Sequence, residues 1–130
     1  MMNDHLPSPD RSWVCRFRDA FRGVKAGVRG QSSFFVHFFA AAVVVAAAAV
    51  LRVEFYDWCL LLLCIAGVMT AEMFNSALES MAKAVTSQND PHLGSSLDIA
   101  AAAVLAASIG AALVGTIIFT QRIGIMLGWW

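Results

Sequence analysis

Three long apolar runs, separated by short polar segments, restrict the folds that are open to this sequence. The runs begin near residues 34, 57 and 98, and about 20 apolar residues in a helix cross the hydrocarbon core of a bilayer. The chain is 59% hydrophobic and 14% charged, whereas soluble domains average about 45–50% and about 25%. We therefore predict an all-α membrane protein with three transmembrane helices. Small residues in the third run favour close contact between helices.

Polar segments set the limits of these spans. The predicted limits are about 34–51, 57–85 and 98–120. Residues 86–97 are rich in Ser, Asn, Pro and Gly, which predicts a loop, with Ser96 or Asp98 capping the third span. The charged segment before the first run is too long for the start of a signal peptide. The first run is therefore interpreted as a permanent span.

A basic segment precedes the first run. Residues 11–29 contain six of the nine Lys and Arg residues of the chain and one acid, Asp19. Its apolar side chains recur at spacings of three and four, as Trp13, Phe17, Ala20, Phe21 and Val24. This pattern predicts an amphipathic helix over 11–29 that lies on the membrane surface. It either fixes orientation alone or also contacts phosphates or headgroups. Residues 1–10, with two prolines, are predicted to be disordered.

The basic segment also predicts how the chain is oriented. Lys and Arg accumulate on the cytoplasmic side of membrane proteins, so the N-terminus is assigned to the cytoplasm. The 52–57 turn then faces outward, and the 83–98 loop faces the cytoplasm.

Charge and cysteine content argue against nucleic-acid binding, a cysteine metal site and a disulfide framework. The formal net charge is zero, so no global field favours nucleic acid as a partner. The three cysteines, Cys15, Cys59 and Cys64, have no metal-ligand spacing and form no even-numbered disulfide framework.

Polar residues form a line along one side of the helix at the end of the second span, and we call this line the polar stripe. Glu72, Asn75 and Glu79 are three and four residues apart, which places them on one helix face beside Ser76. Carboxylates at a membrane boundary are costly to bury and suggest a functional site. Glu72 lies roughly 22 Å along the helix from Asp57, short of the crossing of about 30 Å. This places it in or just under the headgroup region.

Such a stripe suits a reaction between a water-soluble partner and the polar end of a lipid. The outer carboxylate would hold a metal-bound polyphosphate, and the inner one would act as base toward a lipid hydroxyl. Mg²⁺ fits, because it binds one or two carboxylates together with substrate phosphates. A polar packing face between helices is an alternative, and a transporter or ion path also remains open. His37 in the first span is interpreted as a packing residue.

Three motifs resemble one family. The run Ala-Glu-Met-Phe-Asn-Ser-Ala-Leu-Glu at 71–79 resembles the Glu-x-x-Asn-[Ser/Thr]-Ala-[Ile/Leu]-Glu signature of the small bacterial membrane diacylglycerol kinases and undecaprenol kinases. The run Leu-Asp-Ile-Ala-Ala-Ala-Ala-Val-Leu at 97–105 is similar to their Lys-Asp-x-x-[Ala/Ser]-x-Ala-Val-Leu segment. Residues 21–25, Phe-Arg-Gly-Val-Lys, resemble the basic turn of their surface helix. The resemblance covers roughly residues 15–120.

The resemblance implies an ATP-dependent lipid kinase. It implies a homotrimer in the bacterial inner membrane, with three spans and a surface helix per subunit, and Mg²⁺ as cofactor. By position, Glu72 matches the catalytic base and Glu79 a metal-binding carboxylate. The residues assigned to the nucleotide are Asn75, Asp98, Lys83, Arg22 and Lys25.

Three positions depart from the family pattern. Gln31 stands where a glutamate usually helps to bind metal, and it keeps an oxygen but no charge. Lys83 stands where Asp is common and would pair with Glu79 or contact phosphate. Leu97 replaces a lysine before Asp98.

These departures leave a second hypothesis, a catalytically impaired member that acts as a lipid-binding or structural subunit. A third is a small packing protein or an exporter component, and an exporter would be expected to carry charges in mid-span that face a pore. The leading hypothesis is a kinase for a membrane lipid alcohol, either diacylglycerol or undecaprenol.

Overall fold

The structure, a computed structural model, describes residues 12–28, 32–86, 88 and 90–129. Its elements are four helices, α1 (Trp13–Val28), α2 (Ser32–Val50), α3 (Phe55–Val85) and α4 (Pro91–Met126). The predicted all-α fold is confirmed, since α2, α3 and α4 are each long and apolar enough to cross a membrane. The predicted disorder of residues 1–10 concerns positions outside the described residues.

The first helix, α1, lies where the basic segment predicts a helix, and it contacts α2 and α3. None of its residues is fully buried. The Arg16 guanidinium lies 5.1 Å from the centre of the Trp13 ring, a cation–π distance. The placement of α1 on a membrane surface as an amphipathic helix stays a prediction.

A tight turn joins α2 to α3. The backbone N–H of Val53 donates to the carbonyl of Ala48 at 3.2 Å, and Arg52 adopts the left-handed conformation, with φ 50°. That conformation costs a non-glycine residue about 1–2 kcal/mol. A contact from α4 accompanies the turn, because Arg122 Nε donates to the carbonyl of Leu51 at 2.9 Å. The turn is thus tied to all three long helices.

The hydrophobic core lies next to this turn. Its buried members come from α2, the turn, α3 and α4, and they are Ala48, Val53, Leu61 and Ile118. Away from this cluster α4 packs along α3, and α2 also packs against α3. Many large apolar side chains face outward, as expected for helices in contact with lipid or with other membrane helices.

The fourth helix begins earlier than the sequence predicts. The predicted loop over 86–97 is wrong from residue 91 onward, because α4 starts at Pro91. Asp90 is the N-cap, and its Oδ1 accepts the N–H groups of His92 at 2.8 Å and Leu93 at 3.1 Å. Proline at the first helical position needs no hydrogen-bond partner for its nitrogen. The predicted caps, Ser96 and Asp98, therefore lie inside the helix.

The other end of α4 also extends beyond its predicted limit at residue 120 and reaches Met126. With 36 residues, α4 is roughly 54 Å long. The hydrocarbon core is about 30 Å thick, so α4 is long enough to project from it.

Candidate active site

Polar side chains from the predicted stripe are buried on one face of α3. Glu72 is 2% exposed, Ser76 7% and Asn75 9%. Glu79, one turn beyond Asn75, is half-buried. The regular 3.6-residue period of the helix brings the four residues together, as their spacing predicts. Exposure rises along the stripe toward Glu79.

The partners of Glu72 come from α2. Ser33 Oγ donates a hydrogen bond to Glu72 Oε1, and His37 Nε2 lies 3.8 Å from Oε2. Ser33 and His37 are four residues apart, so one face of α2 presents both to the same carboxylate. A buried carboxylate requires such partners, because leaving it unpaired costs a large desolvation free energy.

These two α2 residues were missed by the sequence analysis. The sequence predicts a bend into the bilayer around Ser33 but no role for Ser33 in the site, and it predicts a packing role for His37. The available signal was a pair of polar residues at four-residue spacing at the start of an apolar span. That signal does not identify Glu72 as the partner, since Ser33 and Glu72 are 39 residues apart.

Asn75 links the stripe toward Glu79. Its Nδ2 donates to Glu79 Oε1 at 2.9 Å. Within the described part of the chain, Asn75 Oδ1 is buried and has no hydrogen-bond partner. An unsatisfied buried acceptor costs about 1–3 kcal/mol, so this oxygen is suited to bind a donor or a cation from a ligand.

The oxygen atoms at this end fit a Mg²⁺ site that is completed by a substrate. Glu79 supplies a carboxylate and Asn75 Oδ1 an unpaired carbonyl oxygen, both hard ligands. Across residues 12–28, 32–86, 88 and 90–129, no group of three or more His, Cys, Asp or Glu residues is placed to hold a metal ion. Mg²⁺ does not require such a group, because it commonly keeps waters and binds phosphates. Gln31, the other predicted metal ligand, lies outside the described residues.

The remaining predicted residues are exposed. Lys83 lies in the last turn of α3, and Asp98 lies on α4, across the connection between the two helices. Arg22 and Lys25 are exposed on α1 and line a shallow hollow there. Arg22 also lies 3.7 Å from Asp19 Oδ1. The assignment of these four residues to a nucleotide stays a prediction.

An apolar cleft begins beside the buried carboxylate. It has a volume of about 560 Å³ and lies between α2, α3 and α4. Representative lining residues are His37, Ala41, Leu61, Val68, Ser108 and Gly115. Because His37 lines the cleft and also lies near Glu72, the apolar cavity and the polar stripe adjoin one another.

Three membrane-length helices with a buried carboxylate beside an apolar cleft define an integral membrane protein suited to chemistry on lipids. The chain belongs to the prokaryotic diacylglycerol kinase family, whose sequence profile it matches over residues 18–119. It is also similar to the undecaprenol kinase of Bacillus subtilis (strain 168). The identity is 26% over 107 residues, which cover 82% of this chain and 87% of the relative. The predicted family is thus confirmed, and the protein is a multi-pass membrane lipid kinase of this type.

Proposed function

We propose that the protein transfers the γ-phosphoryl group of ATP to the hydroxyl of a membrane lipid alcohol, diacylglycerol or undecaprenol. The reaction takes place at the cytoplasmic face of the bacterial inner membrane. The observation that carries the proposal is the environment of Glu72, a carboxylate that is 2% exposed and lies where the polar stripe meets the apolar cleft. Family membership and the similarity to an undecaprenol kinase support it.

Glu72 is proposed as the general base. Its carboxylate takes the proton of the lipid hydroxyl as the hydroxyl oxygen forms a bond to the γ-phosphorus. The bond from that phosphorus to the bridging oxygen breaks, and ADP leaves with the electron pair. A positioned base typically contributes 10²–10⁴-fold to a rate. Burial also keeps water away from Glu72, which favours phosphate transfer to the lipid over hydrolysis of ATP.

Glu79 and Asn75 are proposed to face the polyphosphate. Glu79, with Asn75 Oδ1 and Gln31, would hold Mg²⁺, which when bound neutralises charge on the phosphates. The exposed cations Lys83, Arg22 and Lys25 would bind phosphate oxygens from the aqueous side, and Asp98 is assigned to the same nucleotide site.

The apolar cleft is proposed to hold the hydrocarbon part of the lipid. Its lining is dominated by alanines, aliphatic side chains and Phe119, which offer contact area but few hydrogen-bond partners. A lipid in the cleft would present its hydroxyl beside His37 and Glu72.

The test is phosphate transfer by the purified protein in lipid bilayers, with labelled ATP, Mg²⁺ and either diacylglycerol or undecaprenol. We expect label in one of the two lipids and a loss of kcat of about 10²–10⁴-fold in Glu72→Gln. Glu54→Gln is the matched control, because Glu54 is exposed and makes no capping hydrogen bond.

Two outcomes would contradict the proposal. Full activity in Glu72→Gln would remove the role of base from Glu72. Binding of ATP or lipid by the wild-type protein without transfer to either alcohol would instead indicate a catalytically impaired member of the family.

A further inference from the structure

We propose that His37 and Ser33 of α2 are positioning residues for Glu72. This inference rests on the proposed function, in which Glu72 is the base. The signature that contains the base, at residues 71–79, lies wholly on α3, so it contains no information about what holds the base in place. The structure assigns that task to a second helix.

The geometry is that of a clamp with one contact on each carboxylate oxygen. Ser33 Oγ donates to Oε1, and His37 Nε2 lies 3.8 Å from Oε2. A glutamate side chain has three rotatable torsions, and contacts at both oxygens restrict the orientation of its terminal group. The histidine contact is longer than a hydrogen bond of about 3 Å. Catalytic hydrogen bonds are often long before substrate binds and shorten in the complex.

A packing role alone does not account for His37. The surrounding α2 sequence consists of Phe, Val, Ala and Ser. If packing were the only requirement at position 37, an apolar side chain would meet it, and no polar imidazole would be needed in a membrane span. The His37 side chain is 21% exposed, and it lines the apolar cleft. It therefore lies between Glu72 and the cavity, where it can restrict both the carboxylate and an arriving hydroxyl.

The test compares His37→Leu with His37→Gln in the bilayer assay. We expect His37→Leu to lower kcat about 10- to 100-fold, because small misplacement of a reacting group has effects of this size. KM for ATP and for lipid should stay within about three-fold of wild type. Glutamine offers an N–H group to Oε2 and should restore most of the lost kcat.

A residue that only packs would give the reverse order. Leucine would then be tolerated at an apolar site, and glutamine would be the more damaging change. His92→Leu is the matched control, because His92 is exposed in the first turn of α4 and should leave kcat unchanged.

Ser33→Ala tests the clamp from its other side should His37→Leu fail to fold. Ser33 is exposed rather than buried in the core, and alanine favours the helix, so the variant should fold. We expect a lower kcat with unchanged KM values.

The inference and the proposed function fail in different ways. The clamp alone would be overturned if the wild-type protein is active, Glu72→Gln is inactive, and either His37→Leu or Ser33→Ala keeps full activity. An inactive wild type or an active Glu72→Gln would overturn the proposed function, and the clamp with it.

Discussion

Glu72, Asn75 and Glu79 share one face of α3 but lie in different surroundings. Glu72 is enclosed by α2 side chains and adjoins the apolar cleft. Glu79 is half-buried and bonded to Asn75. A general base benefits from a water-poor site, whereas a residue that meets ATP must be reachable from water. The burial gradient thus agrees with the separate roles proposed for the two carboxylates.

A substitution of Asn75 gives a prediction at the scale of single residues. Asn75→Leu keeps the branched shape of the side chain but removes the bond to Glu79 and the unpaired Oδ1 oxygen. We expect kcat to fall about 10²-fold and the Mg²⁺ concentration for half-maximal activity to rise. Activity measured across a Mg²⁺ titration tests both. Gln121→Leu, which removes an exposed amide from α4, should change neither. An unaltered Mg²⁺ requirement would show that Asn75 does not bind the metal.

The stripe was predictable from sequence, but the clamp on Glu72 was not. Spacings of three, four and seven residues place side chains on one helix face whatever the rest of the chain does. Ser33 and His37 reach Glu72 only because α2 packs against α3 in one particular register. That register depends on the turn around Arg52 and the core near Ala48, and neither is encoded in a local pattern.

At the scale of the elements, the start of α4 shows how composition misled the prediction. His, Gly and two Ser residues follow Pro91, and such residues are common in loops. The local signal was nevertheless present, since Asp followed by Pro is an N-cap followed by the preferred first residue of a helix. The residues after Pro91 have weak helix propensity. The cap at Asp90 and the packing of α4 along α3 together outweigh that weak propensity.

Removal of the Asp90 cap gives a prediction at the scale of the elements. Asp90→Ala should destabilise the first turn of α4 by about 1 kcal/mol, because the N–H groups of His92 and Leu93 lose their acceptor. Hydrogen–deuterium exchange at residues 92–95 should accelerate. Asp90→Asn retains a capping oxygen and serves as the control. Equal exchange in Asp90→Ala and the wild-type protein would show that packing alone holds this turn.

At the scale of the whole molecule, one chain leaves much of its apolar surface uncovered. Leu63, Ile109 and Ile117 are each more than half exposed. Lipid covers such side chains readily. Small residues are different, because they allow helices to approach closely and are enriched where membrane helices meet. Their distribution is therefore the better guide to contacts between subunits.

A face of α4 carries such small residues at four-residue spacing. Ala102, Ala106 and Gly110 lie on it, and all three are exposed. Among the described residues, a Cβ atom added at Gly110 would meet no heavy atom within 4 Å beyond the neighbouring backbone of its own helix. We propose that this face packs against another subunit in the homotrimer that the family resemblance implies.

Gly110→Leu tests that proposal. The single chain has room for the new side chain, but a close helix contact between subunits does not. We expect wild-type protein in mild detergent to have three times the 14.0 kDa mass of one chain, and Gly110→Leu to dissociate, as measured by native mass spectrometry. Gly67→Leu is the control, because Gly67 is equally open but has Leu63 rather than a small residue four positions earlier. A trimeric Gly110→Leu would assign this face to lipid, since a leucine there would then contact no neighbouring helix.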